Sequence, residues 1–248
     1  MVFGHGLGGD RNQPKELAGR LTAYQLIVWD CRGHGETQST ADAGQFNFLT
    51  FADDLRVLLD HLHILTAVIG GISMGAGVAI RFAVQWPERV KALILVRPAW
   101  LDQPDPPQLR LFTRIAELLE SMGPEEGLAA FQKDVEWKTM RRTAPAMADS
   151  LCQQFTADRA HERRVRLKQM PLASPIDNWR QVENLRRPAL VVGNRADPVH
   201  PFEFAETWAH HLPLAQLVEI PSKSEGATVH QQAFQRHLAR FLSTLESS

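Results

Sequence analysis

Cysteine, long apolar runs and net charge are scarce in this 248-residue chain, and each scarcity removes a class of answer. Only Cys31 and Cys152 occur, far apart and without the spacing of a metal pair or a redox motif, so a disulfide framework is excluded and a reducing, cytoplasmic setting is expected. No stretch approaches the ~18 apolar residues that a membrane span needs. Met1 runs straight into Val2-Phe3-Gly4-His5-Gly6, with no basic and apolar leader, so neither secretion nor a membrane partner is expected. With 27 basic against 28 acidic residues the formal charge is -1, too little to attract nucleic acid. His-Glu-x-x-His spacing and paired thiolates are both missing, and the adjacent His210 and His211 cannot easily face one ion from a helix. No metal or cofactor is expected, and the partner is a small molecule. The length suits one α/β domain with an inserted segment rather than two independent folds.

What is present is a rhythm. Short apolar runs (Gln25–Trp29, Ala67–Ile69, Lys91–Val96, Ala189–Val192, Gln216–Ile220) alternate with helical patterns at about Phe51–His63, Ala76–Gln85 and Gln231–Leu245, which is the βαβα signature of a parallel sheet. Thr50 followed by Asp53 resembles a capping box and marks a helix start, with Ala52, Leu55, Leu58, Leu59 and Leu62 as its core stripe. Between Pro98 and about Arg187 no strand-like run occurs. Helical segments punctuated by prolines and by Gly123-Pro124 read there as a cap across the sheet's carboxyl end, held together mostly by Phe112, Ile115, Leu118, Leu119, Met122, Phe131, Trp137 and Met140. The basic run His161–Lys168 reads as a solvated helix face.

The segment that carries chemistry is Gly71-Ile72-Ser73-Met74-Gly75, placed between the apolar run Thr66–Gly70 and the alanine-rich run Ala76–Ala83. A serine on a sharp strand-to-helix turn is lifted clear of its own backbone, and small residues two before and two after it give the crowded turn its room. Ser73 is therefore the candidate nucleophile. Gly4-His5-Gly6-Leu7-Gly8-Gly9 follows the first strand, and such a turn can aim backbone N–H groups into a cavity. The amides of Leu7 and Met74 are the candidate oxyanion hole.

These segments, together with Asp30-Cys31-Arg32-Gly33-His34-Gly35, Trp86-Pro87-Glu88-Arg89-Val90 and Gly193–Pro201, resemble the landmarks of the α/β-hydrolase superfamily in its order, across nearly the whole chain, and especially its capped esterase, lactonase and carbon-carbon hydrolase branch. The resemblance implies a mostly parallel sheet with helices on both faces, a core at 1–98 and 188–248, and a helical cap at 99–187. It implies loop-shaping roles for Asp30, Arg32 and His34. Relatives open with a β-hairpin that is not seen here, so Gln25–Asp30 is expected at an exposed edge, giving a destabilised monomer, a shortened chain or an edge-paired homodimer.

The resemblance places the triad acid after the penultimate strand, at Asp197, where a carboxylate can orient an imidazole and stabilise the imidazolium. Asp177 and Glu183 are weaker candidates. Many relatives carry the base about four residues past a proline that ends the last strand, and Glu225 stands there. His230, correctly ordered after serine and acid, is the candidate base. His237 reads as packing or surface, and His200 as a turn residue after the acid. The expected activity is hydrolysis of a carboxylic ester or lactone through an acyl-enzyme, with carbon-carbon or thioester cleavage as alternatives and a non-catalytic binding protein on the same fold as an answer of another class.

Overall fold

Residues of the β-branched, apolar runs pair into a sheet because both of their faces find helices to cover them. The computed structural model describes residues 1–21, 23–37 and 42–246. In chain order the elements are β1 Val2–Gly4, α1 Asn12–Ala18, α2 Phe48–His61, β2 Ala67–Ile72, α3 Met74–Gln85, β3 Val90–Val96, α4 Arg110–Phe131, α5 Val135–Thr143, α6 Pro145–Thr156, α7 Ala160–Arg163, α8 Val165–Gln169, α9 Arg180–Glu183, β4 Ala189–Gly193, α10 Phe202–His211, β5 Ala215–Glu219 and α11 Ala227–Glu246. The five strands run parallel in the order β1-β2-β3-β4-β5. Alternation with period two divides them between two cores. Ile69, Leu93, Leu95 and Val191 pack with α2 and α3, whereas Val68, Ile72, Ile94, Val96 and Val192 pack with Leu17 and Ala18 of α1 and with Phe234, Leu238 and Phe241 of α11.

Three local expectations change. Among the described residues, Gln25–Trp29 forms a single bridge rather than a strand: the Phe3 amide donates to the Ile27 carbonyl and the Ile27 amide to the Met1 carbonyl, each at 2.9 Å. A three-residue β1 offers no longer ladder. The helix cap is Asn47, whose extended backbone (φ -152°, ψ 164°) leaves its Oδ1 free to accept the Thr50 amide at 2.9 Å, so Thr50 is a donor inside the first turn and not the cap. Met122, expected inside, is exposed.

From α4 to α9, between β3 and β4, the described residues are helical or irregular, with no strand. α4 is broken at Gly123 (φ 76°), ahead of Pro124, whose missing N–H and fixed φ suit the start of a new helical stretch. Phe131 and Phe155, with ring centroids 5.4 Å apart, join α4 to α6.

The glycines around Ser73 are required sterically. A Cβ on Gly71 would lie 2.2 Å from the Gly75 carbonyl carbon, and one on Gly75 would lie 2.6 Å from the Gly4 carbonyl group. Both obstacles are backbone and cannot rotate away. Gly71→Ala is expected to lower unfolding free energy by about 2–3 kcal/mol or more, as overpacking against fixed backbone does. Urea unfolding of the variant beside the parent measures it; an unchanged midpoint would mean that the turn is looser than its geometry.

Candidate active site

The chain leaves β2 and enters α3 within one residue, and that residue is strained. Ser73 has φ 55° and ψ -108°, a conformation that costs a non-glycine residue on the order of 1–3 kcal/mol and persists where the surroundings enforce it. Its amide donates to the Val96 carbonyl at 2.9 Å and its carbonyl accepts from Ala76, so the backbone is held from both sides. The side chain opens into a cleft of about 720 Å³, counting its mouth, lined by Leu7, Ser73, Arg97, Asn194, Asp197 and His200, with Phe112 and Met147 contributed by the helical insertion. Ser73 follows β2, Arg97 follows β3 and Asn194 follows β4, so the cleft lies at the carboxyl ends of the strands, where open α/β sheets place ligands.

Leu7 lines that cleft, and Met74 directly follows Ser73 in the chain. The Gly6 amide is spent on Gln13 Oε1 at 2.7 Å and the Gly9 amide on the Gly6 carbonyl at 3.0 Å, whereas the Leu7 amide makes no hydrogen bond among the described residues. Met74 is the first residue of α3, where an N–H has no intrahelical acceptor. The Leu7 amide and the first amide of α3 are thus the two left unspent next to this turn.

Asp197 is fully occupied, and not by His230. Its Oδ2 accepts from His200 Nδ1 at 2.9 Å and from Arg97 Nη1 at 3.3 Å, while its Oδ1 accepts the amides of Val199 and His200, each at 3.2 Å. Four donors use the lone-pair sites of a carboxylate. Burial works to raise this acid's pKa, but His200, Arg97 and the Val199 amide outweigh it and hold the group well below the usual carboxylate range. The expected Asp197–His230 link is therefore absent. The acid instead fixes the ring three residues along its own loop, and His200 lines the cleft.

His230 is buried at the start of α11, and its Nδ1 donates to the Pro221 carbonyl at 2.7 Å. That bond leaves Nε2 as the unprotonated nitrogen, buried and without a partner. Burial, followed by the nearby Arg97 and Lys223, pushes its pKa down to about 4, with the Pro221 hydrogen bond opposing. Ser73 Oγ itself makes no hydrogen bond to either ring, and the structure places only His200 in the same cleft lining as Ser73. Glu225, at the position where many relatives carry a histidine, caps the turn before α11 by accepting the Ser222 amide at 2.6 Å. His237 is half-buried on α11.

The weaker acid candidates lie elsewhere. Asp177 pairs with Arg81 at 3.1 Å, and Glu183 accepts from His211 at 3.0 Å. His211 stacks on Trp179, and among the described residues no group of three or more His, Cys, Asp or Glu side chains is arranged to hold a metal ion. Nor is any described helix long and apolar enough to cross a membrane. Asp30 accepts the amides of Arg11 and Glu36, and Arg32 pairs with Asp54 at 2.6 Å. Buried His34 meets the carbonyls of Arg32 and Leu7 at 2.7 and 2.9 Å.

The basic run at 161–168 is not simply a solvated face. Arg166 is 5% exposed and reaches the Leu7 carbonyl at 3.4 Å and Gln154 Oε1 at 3.0 Å, while Gln154 donates to the Gly8 carbonyl at 3.0 Å. Burial, joined by the like charge of Arg163, lowers its pKa to about 10. The insertion thereby grips the loop that carries the Leu7 amide. Sequence reading missed Arg166, His200 and Arg97. Arg97 had one visible sign, a cation directly after the wholly apolar end of a buried strand.

A family profile described as "alpha/beta hydrolase fold" matches residues 1–224. The chain is 27% identical to the "Putative carbamate hydrolase RutD" of Pseudomonas syringae pv. syringae, over 98% of this chain and 93% of that protein. Among solved structures, a thermophilic esterase from Thermogutta terrifontis superposes with a TM-score of 0.73 at 27% identity, covering 97% of this chain and 89% of that one. The enol-lactonase from Burkholderia xenovorans LB400 does so with a TM-score of 0.73 at 20% identity, over 98% and 90%, and shares the fold.

Proposed function

Because the chain belongs to the α/β-hydrolase fold family, whose similar members include proteins named as hydrolases, we propose that it is a serine hydrolase cleaving a small carboxylic ester or lactone. The observation that carries the reading is the strained Ser73 in one cleft with the Asp197–His200 pair. His200 Nε2 takes the proton of Ser73 Oγ as that oxygen attacks the acyl carbon, and the developing oxyanion receives the Leu7 and Met74 amides. The imidazolium, stabilised by Asp197, returns its proton to the departing alkoxide, leaving an ester on Ser73. Water then enters; as His200 removes its proton the oxygen attacks the acyl carbon, the bond to Ser73 Oγ breaks, and the imidazolium returns the proton to Ser73 as the acid product leaves. The helical segment 99–187 acts as the cap, and its Arg166 and Gln154 hold the loop bearing Leu7.

His230 is the second candidate base, favoured by its place in the order of the triad and by the free Nε2 that the Pro221 carbonyl leaves on it. Its Nδ1 is held by that backbone carbonyl and not by a carboxylate. The absence of any hydrogen bond on Ser73 Oγ favours a non-catalytic binding role as the reading of another class, although catalytic hydrogen bonds in empty sites are often long.

A fluorophosphonate probe separates these readings. The protein is expected to label once, and peptide mapping to put the adduct on Ser73. An adduct elsewhere would displace the nucleophile, and no adduct would leave the binding role. A panel of oxygen esters, thioesters and lactones then distinguishes the bond cleaved.

A further inference from the structure

Beside Ser73 the cleft holds polar groups that the hydrolytic steps leave unused. Arg97 is 5% exposed, yet among the described residues its five N–H donors make one hydrogen bond, the 3.3 Å contact of Nη1 with Asp197, and its Nε is fully buried without an acceptor. Its backbone is held at φ 48°, the left-handed region, by an amide bond to the Val192 carbonyl at 2.7 Å. Asn194 is 1% exposed, and both Oδ1 and Nδ2 are buried without partners. Lys223 completes this wall from the rim, at the start of the 3-10 turn Lys223–Glu225 that follows β5, with no ion pair to Asp197 or Glu16. Buried polar groups are satisfied in all but a few cases, and an arginine with most of its donors unspent is among the costliest to leave so.

We propose that this wall is a carboxylate subsite, so that the molecule cleaved carries a free carboxylate besides the acyl group that Ser73 attacks. The inference rests on the hydrolase reading for its second half only; binding of a carboxylate does not require turnover. A planar guanidinium fork with free donors matches a carboxylate, and Asn194 Nδ2 supplies a neutral donor beside it. Asp197 is already committed to four donors and does not compete for the guanidinium's remaining N–H groups. An anion here has a further effect on the chemistry. The imidazolium formed on His200 would otherwise arise beside Arg97, with which it shares Asp197 Oδ2, and a bound carboxylate offsets that like charge.

The test uses two substrates of equal chain length, the 4-nitrophenyl half-ester of glutaric acid and 4-nitrophenyl valerate, and one ligand, free glutarate, measured by calorimetry. The half-ester is expected to exceed valerate in kcat/KM by at least about tenfold, and Arg97→Met to remove that preference and weaken glutarate binding about 30-fold or more, the scale of losing one partner of a buried charge pair. Lys223→Met, at the rim, is expected to weaken glutarate by about threefold, and Arg97→Lys to retain part of the binding; these two keep the test open if Arg97→Met does not fold. Glutarate binding that depends on Arg97 in a protein that no fluorophosphonate labels would uphold the subsite and sink the hydrolase reading. Labelling of Ser73 with no glutarate binding and no preference for the half-ester would overturn the subsite alone. Inorganic phosphate binding as tightly as glutarate would overturn its assignment to carboxylates.

Discussion

His200→Ala is expected to lower kcat/KM for any ester the protein cleaves by at least about 10³-fold, whereas His230→Ala changes it by no more than about threefold. A general base needs its reacting nitrogen near the nucleophile and its other nitrogen held by an acid, and His200 has both a place in the cleft of Ser73 and a 2.9 Å bond to Asp197. His230 gives its Nδ1 to a backbone carbonyl, and Asp197 has no lone pair left for it. The pH profile supplies a second readout. A base works unprotonated, so activity falls as pH drops through its pKa, and with His230 as base in its present setting kcat/KM would hold down to about pH 4. Because His230 is buried, His230→Gln is measured beside the alanine variant, and thermal unfolding confirms that each is folded. A 10³-fold loss in both His230 variants with His200→Ala near parent activity would return the base to His230.

Ser73→Ala is expected to have the larger effect, a fall in kcat of about 10⁴–10⁶-fold with fluorophosphonate labelling abolished. What survives is the contribution of binding and of the oxyanion amides, which act whether or not the nucleophile is present. The fold should survive too. Ser73 Oγ has no hydrogen-bond partner to lose, and alanine occupies the same strained φ and ψ at the same backbone cost. Ser73→Gly, which relieves that strain, is expected to unfold at a higher temperature than Ser73→Ala. Turnover persisting in Ser73→Ala within tenfold of the parent would place the chemistry on another group.

The two outcomes bear on different links of the argument, and the difference shows what a one-dimensional pattern can carry. Ser73 is legible because its geometry is made locally: Gly71 and Gly75 are its near neighbours, and the clash distances at their Cβ positions are set by the turn itself. The strands β2, β3 and β4 are legible because burial on both faces demands unbroken apolar runs. The Gln25–Trp29 run has the same composition and forms one bridge, since pairing depends on how much of β1 stands beside it. Thr50 and Asn47 are both competent caps, and the packing of Phe48 and Phe51 into the core decides which one starts the helix.

Partnerships across the chain were out of reach for a related reason. Whether Asp197 meets His200, three residues away, or His230 depends on the path of the loop after β4 and on Arg97, whose guanidinium shares Oδ2 with His200. Arg166 sits in a run that any charge count assigns to solvent, and it is buried because the Leu7 carbonyl and Gln154 meet it there.

By itself, then, the order of residues determined the parallel α/β class, the tight turn that exposes Ser73 and the glycine loop before Leu7, all of which follow from steric and burial rules acting over a few neighbouring residues. Only the folded chain decided which imidazole holds the acid, which arginine faces the cleft and which one grips the loop that carries Leu7. Those choices pit several chemically equivalent donors against one another for a single carboxylate or carbonyl, and distance in three dimensions, which sequence separation does not encode, selects the winner.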